Sequence, residues 1–151
     1  NDMDNAALGA IHEFGADIKI TPKMAAFLAI HAKELGLPPK PKGSSDGYIH
    51  IPVRSFLQMP LTRKNAVLKE LKKQMGDIEE FAMWITETGD FQTLAVMLGA
   101  AAKEVILQAF ETQGFGQWPA NSEYTIAEKG SAKPLEDEGF LKNAIDFEVE
   151  R

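Results

Sequence analysis

The chain has 151 residues, of which 44% are hydrophobic, and its 16 basic and 22 acidic side chains give a formal net charge of −6. This length predicts one domain, residues 1–151, around a single hydrophobic core. The acidic balance argues against wrapping of nucleic acid, because that affinity comes mainly from Lys and Arg side chains that neutralise phosphates. The absence of Cys excludes disulfides and thiol catalysis. No apolar run approaches the roughly 18 residues of a membrane span and no signal peptide is visible, so no membrane association is expected.

The first half of the chain contains two short strand patterns. Residues 18–20 alternate apolar and polar side chains as a strand does, and residues 48–51 repeat this alternation before Pro52 limits the ladder. Residues 6–14 fit either a short helix or a strand, since periodicity over so few residues does not decide between them. Strands are therefore expected to be few and short.

A helix and a loop separate the two strand patterns. The Thr21-Pro22 pair is a helix start, with Thr as N-cap and Pro at the first helical position, where its missing N–H costs nothing. Residues 37–47 contain three prolines and two glycines, which predicts a surface loop that carries Lys40 and Lys42. We therefore expect a helix–loop insertion over residues 21–47.

The middle of the chain predicts three helices. The first covers residues 62–75, after a break at Pro60, and has an apolar inner side and a basic outer side. The second begins at Asp77, where a capping-box spacing predicts an N-cap. The third, residues 90–113, is the longest uninterrupted helix pattern in the chain. At Gly99 and the alanines that follow it, this long helix would let another segment approach closely.

The last third of the chain predicts short elements. A helix over residues 122–129 is closed by Gly130, a second helix covers residues 135–145, and residues 147–149 alternate as a terminal strand. Because helices dominate, the predicted fold class is α+β: a small antiparallel sheet packed against a long central helix, with additional short helices and the inserted helix–loop segment. The rest of the chain must cover the apolar stripe of the long helix, which consists of Phe91, Leu94, Ala95, Leu98, Ala102, Val105 and Ala109.

The residues that could carry chemistry do not form a recognisable catalytic or metal-binding pattern. His12, His31 and His50 lack the HxxxH or HxH spacing that places two imidazoles on one ion. There is no GxSxG elbow, GxGxxG motif or P-loop. We therefore predict no catalytic residues, no metal site and no cofactor, and expect that the protein is not an enzyme. An alternative hypothesis is a small metal-dependent or acid–base enzyme that uses His12, Glu13, His50 and Arg54.

Two segments, taken together and in this order, resemble a known family. The first is residues 10–15 (AIHEFG), followed after the insertion by residues 49–57 (IHIPVRSFL). The second comprises residues 124–130 and then residues 134–145. This order resembles virion morphogenesis proteins of tailed bacteriophages, of the tail-completion, neck or minor-tail type. In that family an (H)EFG…IPxRPF half is followed by a helical middle and a T…KG…PLxDTGxLxxSI…V tail, and one branch has a TPKM(R)xFL segment like the start of the insertion.

Single residues in both halves carry the resemblance. They are Glu13, Phe14, Gly15, Pro52, Arg54 and Phe56 in the first half, and Thr125, Lys129, Pro134, Leu135, Gly139, Leu141 and Ile145 in the second. Three positions depart from the family pattern: Ser55 stands where Pro is usual, Glu138 where Thr is usual, and Ala144 where Ser is usual. The family also has a strand shortly before the EFG segment, which implies further residues upstream of Asn1.

The resemblance implies a structural virion component that acts in tail completion or head–tail joining. Such a protein would form a homo-oligomeric ring, a hexamer by resemblance, in contact with tail-tube, tail-terminator or head–tail connector proteins. It would lie in the phage tail or neck, and in the host cytoplasm during assembly. An acidic ring lumen would repel DNA and let it pass, which is the only contact with DNA that is expected.

Particular residues are candidates for contacts in such a ring. Arg54 suits a bidentate pair with a carboxylate, either within the fold or on a neighbouring subunit. The loop with Lys40 and Lys42 and the Trp118-Pro119 turn are expected subunit contacts, with Trp118 as a candidate anchor. A further alternative is a monomeric adaptor that binds an acidic partner through the basic helix, residues 62–75.

Overall fold

The computed structural model describes residues 4–38, 46–135 and 139–150. In chain order the elements are helix α1 (Asn5–Phe14), strand β1 (Ala16–Lys19), α2 (Pro22–Glu34), β2 (Tyr48–Ile51), α3 (Gln58–Thr62), α4 (Lys64–Met75), α5 (Ile78–Thr88), α6 (Phe91–Glu111), α7 (Glu123–Lys129) and α8 (Phe140–Asn143). The predicted α+β class is confirmed: helices dominate, the sheet is small and antiparallel, and α6 is the long central helix.

The sheet pairs β1 with β2 so that Ala16 faces Ile51 and Lys19 faces Tyr48. The turn from α1 into β1 requires glycine. Gly15 has a φ of +74°, and a Cβ at this position would lie 2.9 Å from the Ile51 carbonyl oxygen. Directly after β2 the chain enters the turn at residues 54–58, which connects the sheet to the hydrophobic core.

The inserted segment joins the paired ends of the two strands. Thr21 caps α2 as predicted, and its hydroxyl accepts a hydrogen bond from the Met24 N–H. His31 on α2 contacts the Glu128 carboxylate on α7, and its ring centre lies 5.9 Å from that of Tyr124. Side chains at the surface of α7 therefore hold the insertion against the rest of the fold.

The core forms around the C-terminal half of α6, which packs most extensively against α4 and also against α3. The Phe110 ring stands edge-on to the Trp118 indole, with 5.6 Å between ring centres, and 5.5 Å from the Phe56 ring. The buried cluster comprises Phe56, Ile106, Ala109, Phe110, Trp118, Leu135 and Leu141. It therefore combines side chains from both motif-bearing halves of the chain with the C-terminal half of α6.

The N-terminal half of α6 is much less covered than the sequence predicts. Val105 and Ala109 of the predicted stripe are buried, whereas Phe91 is 64% exposed and Leu98 is 47% exposed. Helix α5 has no buried residue, and its Met83 is 61% exposed. The prediction that the chain itself covers the whole stripe is therefore wrong for this half. Periodicity identifies an apolar face but does not reveal whether the same chain covers it.

Helix α6 also has the length and composition of a membrane span, with a mean hydropathy of 1.4 over an 18-residue window of which 28% is buried. No uninterrupted apolar run of that length exists, because Lys103 and Glu104 stand in mid-helix. A core helix passes the same test, and the C-terminal half of α6 lies in the core. What distinguishes α6 from an ordinary core helix is its uncovered N-terminal half.

Two local predictions are wrong. Pro60, predicted as a break, lies at the third position of α3, where a backbone N–H would have no acceptor within the helix. The predicted strand at residues 147–149 forms no ladder with the described part of the chain; instead, the Phe147 ring lies over Gly99, where a Cβ would overlap it. The close approach predicted at Gly99 is thereby confirmed. The alternating polarity reflects one side of this segment packing on α6.

Gly114 and Gly116 provide a matched test of the core. Both have positive φ, +66° and +76°, but a Cβ at Gly114 would overlap the Trp118 indole, whereas one at Gly116 would meet nothing within 4 Å. We expect Gly116→Ala to lower the free energy of unfolding by about 1 kcal/mol, from backbone strain alone. Gly114→Ala should lower it by about 1–3 kcal/mol more, because the indole must move. Equal losses in urea unfolding would contradict this packing of Trp118.

Candidate functional site

A buried carboxylate on α1 binds the start of α3. The Glu13 residue is 7% exposed, and its carboxylate accepts hydrogen bonds from four donors. They are Ser55 Oγ at 2.6 Å and the backbone N–H groups of Phe56, Leu57 and Gln58 at 2.8, 3.0 and 3.0 Å. Since these amides stand at the start of α3, the carboxylate from α1 caps a helix more than 40 positions away in the chain.

The hydrogen bonds keep Glu13 ionised. Burial by itself raises the pKa of Glu13, but the Ser55 hydroxyl and the three backbone amides together lower it by more, so the pKa lies below its ordinary value. The positive end of the α3 dipole also favours a negative charge at this position. With its oxygens engaged in this way, Glu13 is a structural residue and does not line the neighbouring cavity.

Arg54 and Trp118 attach the same turn to residues 118–120. Arg54 Nε donates to the Pro119 carbonyl at 2.9 Å, and Nη2 donates to the Ala120 carbonyl at 3.0 Å. Trp118 Nε1 donates to the Ser55 carbonyl at 3.1 Å. The prediction of an Arg54–carboxylate pair within the fold is wrong for the described residues, because backbone carbonyls take these guanidinium donors. We call this set the motif junction; it consists of Glu13, Arg54, Ser55, Trp118 and Pro119.

The remaining predicted residues lie around the motif junction. Those in or against the buried core are Phe56, Pro134, Leu135, Leu141 and Ile145. Those that line a neighbouring cavity are Pro52, Arg54, Thr125, Lys129 and Leu135. Gly15 and Gly139 have positive φ at turns, and Phe14 is 72% exposed. The candidate contacts Lys40 and Lys42 fall outside the described residues.

The structure changes the interpretation of the Trp118-Pro119 turn as an interface. Trp118 is only 8% exposed, and its indole is packed against Phe110 with its N–H already bonded. The prediction that Trp118 anchors a neighbouring subunit is therefore wrong for the folded monomer, where this side chain belongs to the core. Pro119 is exposed and stays a candidate for contact.

A cavity of about 530 Å³ lies beside the motif junction, and it brings together His12, His50 and Arg54. Its described lining combines apolar, neutral polar and cationic side chains and contains no carboxylate. The described lining residues are His12, Ile49, His50, Ile51, Pro52, Arg54, Ala120, Asn121, Ser122, Thr125, Lys129 and Leu135. This volume lies within the range of about 300–1,000 Å³ that is typical of small-molecule sites.

The two histidines of the cavity differ in their surroundings. His12 Nδ1 is sealed from solvent and has no hydrogen-bond partner among the described residues. Burial lowers the pKa of His12, and the positive charges of Arg54 and Lys129 lower it further. His50 is instead held at both nitrogens, by Asp17 at 2.6 Å and by Asp46 at 2.9 Å, and these hydrogen bonds raise its pKa.

This arrangement meets one requirement of the enzyme hypothesis and fails another. His12, His50 and Arg54 do share one cavity, but the Glu13 carboxylate is committed to capping α3. No group of three His, Cys, Asp or Glu side chains in the described residues could hold a metal ion. What the cavity offers is positive charge and hydrogen-bond donors, which suits the binding of an anion.

The basic outer side of α4 is partly used within the fold. Lys73 pairs with Glu70 at 2.7 Å, and Gln108 of α6 donates to the same carboxylate at 3.0 Å. Arg63, just before α4, stands 4.1 Å from the centre of the Phe115 ring. A groove of about 490 Å³ along the helix is nevertheless lined by Asn65, Leu68, Lys69, Lys72 and Lys73.

Ser55, which departs from the family pattern, has a structural role at the start of α3. Its hydroxyl donates to Glu13 and accepts from the Met59 N–H at 2.8 Å, so it links α1 to the first turn of α3. The S-x-x-Q spacing from Ser55 to Gln58 is a helix-start signal that could have revealed this role. Asn121 and Ser122, which complete the cavity, follow Pro119 without any pattern that indicates a site.

Comparison of the chain with protein-family models, with curated proteins and with solved structures finds no match. The resemblance to phage morphogenesis proteins therefore depends on the motif residues and their order alone.

Glu13→Gln tests the capping carboxylate. The amide keeps the shape but replaces one acceptor oxygen by a donor that faces other donors, so we expect the free energy of unfolding at pH 7 to fall by about 2–4 kcal/mol. Because the pKa of Glu13 is lowered in the folded state, its contribution is fully present above the ordinary Glu pKa of about 4.3 and is lost as the pH falls through the lowered value. The difference between wild type and variant should therefore shrink on acidification.

Urea unfolding at pH 7 and at pH 3 measures this difference. Glu87→Gln is the matched control, because Glu87 is exposed near the end of α5, and it should stay within about 0.5 kcal/mol of wild type. A difference between Glu13→Gln and wild type that does not change with pH would contradict the role of the ionised carboxylate.

Proposed function

We propose that this protein is a non-enzymatic structural component of a tailed-phage virion, which acts as a ring-forming protein in tail completion or head–tail joining. The observation that carries the proposal is the motif junction. Glu13 accepts hydrogen bonds from the turn that carries Phe56 into the core, and Arg54 attaches this turn to Pro119. In the core Phe56 joins Leu135 and Leu141, which belong to the second motif segment. The motif residues are far apart in the sequence and were identified by resemblance alone. In the structure several of them contribute to the same buried cluster or hold the turn that enters it.

Self-association is supported by the surface that the fold leaves open. The apolar stripe of α6 continues from buried Val105 into solvent at Leu98 and Phe91, and α5 has no buried residue. An 11-residue helix is marginal alone in water, and most helical stability in proteins comes from packing of the apolar side. A second copy of this chain would supply that cover, and repetition of the contact around an axis would close a ring.

In this proposal the ring, hexameric by resemblance, sits at the phage tail end or neck, against tail-tube, tail-terminator or head–tail connector proteins. Assembly would occur in the host cytoplasm. The net charge of −6 suits a lumen through which DNA passes without binding. No membrane contact is included, and α6 is used as an interface helix.

The groove on α4 supports a second candidate, a monomeric adaptor for an acidic partner. Lys69, Lys72 and Lys73 line it beside Leu68, which is 50% exposed. Such binding would weaken strongly with salt, because exposed charges are screened over about 10 Å at 0.1 M ionic strength. Self-association through the apolar stripe would instead persist at high salt.

The mass of the protein in solution, measured by light scattering alone and after mixing with assembled tail tubes, tests the proposal. We expect a closed oligomer, or a monomer that forms a ring on the tube end. A monomer that ignores tubes at every concentration would overturn the virion role and favour the adaptor. Neutral lipid vesicles, added in a separate measurement, distinguish a third outcome from these two. Binding of the vesicles through the apolar stripe would identify α6 as a membrane segment.

A double variant, Phe91→Glu with Leu98→Glu, tests whether the exposed apolar stripe of α6 is the subunit interface. Both side chains are exposed in the monomer, so we expect little loss of monomer stability but loss of the oligomer, because each contact would bury a carboxylate. Phe140→Glu is the matched control, since Phe140 is 63% exposed and lies outside this surface. If the double variant keeps its oligomer, or if the control loses it equally, the assignment of the stripe to the interface is wrong.

A further inference from the structure

We infer that the cavity beside the motif junction is a binding site for a carboxylate carried on an apolar body, such as a small organic acid. The carboxylate would bind at Arg54, beside the His12 ring, and the apolar body would pack against the aliphatic side chains of the lining. This inference concerns the folded chain alone and does not depend on ring formation.

The first argument is the charge of Arg54, which has no carboxylate partner among the described residues. This residue is 6% exposed, and two of its guanidinium N–H groups are used on the Pro119 and Ala120 carbonyls. No carboxylate in the described part of the chain pairs with it. A buried charge that lacks a counterion is costly, and a planar guanidinium fork binds carboxylates in a bidentate manner. An anion in the cavity would therefore supply a counterion that the described residues do not provide.

The second argument is the polar set around this cation. The His12 ring lines the cavity and stands in the positive field of Arg54 and Lys129. Asn121, Ser122 and Thr125 add neutral hydrogen-bonding groups to the same lining. The nearby carboxylates Asp17 and Asp46 are bonded to the other side of the site, through His50.

The third argument selects the class of anion. The lining also contains five apolar residues, which offer no hydrogen bonds from their side chains and which we call the aliphatic wall: Ile49, Ile51, Pro52, Ala120 and Leu135. A phosphate ion would fill only a small part of about 530 Å³ and would leave this wall in contact with water. A carboxylate with an aromatic or aliphatic body contacts both the polar groups and the aliphatic wall, as ligands of such mixed pockets do. The lining therefore favours an apolar acid over an inorganic anion.

The test is a titration of the full chain with benzoate, followed by NMR of the histidine rings. We expect saturable shifts of His12 with a Kd on the order of 1 mM, while acetate and inorganic phosphate bind at least about tenfold more weakly. The bound anion should also raise the pKa of His12, because it opposes the two positive charges that lower it. The ring of His31, which does not line the cavity, should respond far less.

Variants separate a site from a general charge effect. Arg54→Lys keeps the charge but loses the fork, and it should weaken benzoate binding about tenfold or more. Lys129→Gln, at the end of α7, should weaken binding about threefold without unfolding the core, and its circular dichroism is checked. Lys72→Gln is the matched control on α4 and should leave binding unchanged.

Three results would overturn the inference. The first is no saturable shift of His12 with any probe, and the second is phosphate binding as tight as benzoate. The third is benzoate binding that emerges only after neutralisation of the acidic run that follows Leu135 in the sequence, by Glu136→Gln, Asp137→Asn and Glu138→Gln. That result would identify the chain's own carboxylates as the ligand. These outcomes are independent of the oligomer measurements, so the site and the virion role can fail separately.

Discussion

Glu13 can be buried only because the chain brings four hydrogen-bond donors to its carboxylate. Burial of an unpaired carboxylate costs several kcal/mol, so α1 and the turn at residues 55–58 gain stability only when they form together. The same turn carries Arg54 and the Ser55 carbonyl, which hold residues 118–120. One charge therefore couples three distant parts of the chain, and the orientation of Phe56 in the core follows from it.

The two halves of α6 differ in how far the rest of the chain covers their apolar side chains. Its C-terminal half is packed by α3, α4 and the aromatic cluster around Phe110, so it is complete within one chain. Its N-terminal half, with α5, leaves Phe91 and Met83 largely in water. This asymmetry fits the proposed ring subunit, whose fold and assembly would use different ends of one helix, because a contiguous exposed apolar surface is typical of an interaction site.

Features that depend on neighbours in the sequence were predictable. Thr21, Asp77 and Asp90 cap their helices because their acceptors lie within three residues of the amides that they bind. The capping role of Glu13 was not predictable, since its donors lie more than 40 residues away and no periodicity connects them. The cavity was missed for the same reason: only the folded chain brings His12 to Arg54 and Lys129. The covering of α6 depends on tertiary contacts, which helical spacing does not encode.

Lys19 and Tyr48 are paired in the sheet, so the chain departs and returns at almost the same point when it forms the inserted segment. The ends of an insertion placed in this way are already close, and loop-closure entropy grows only slowly with length. Longer and shorter versions of the segment would then lower the stability of the domain by nearly the same amount, because their loop-closure entropies differ little. The segment between the paired ends of β1 and β2 can therefore change in length or sequence, or accept an inserted fluorescent domain, while the motif junction stays as it is.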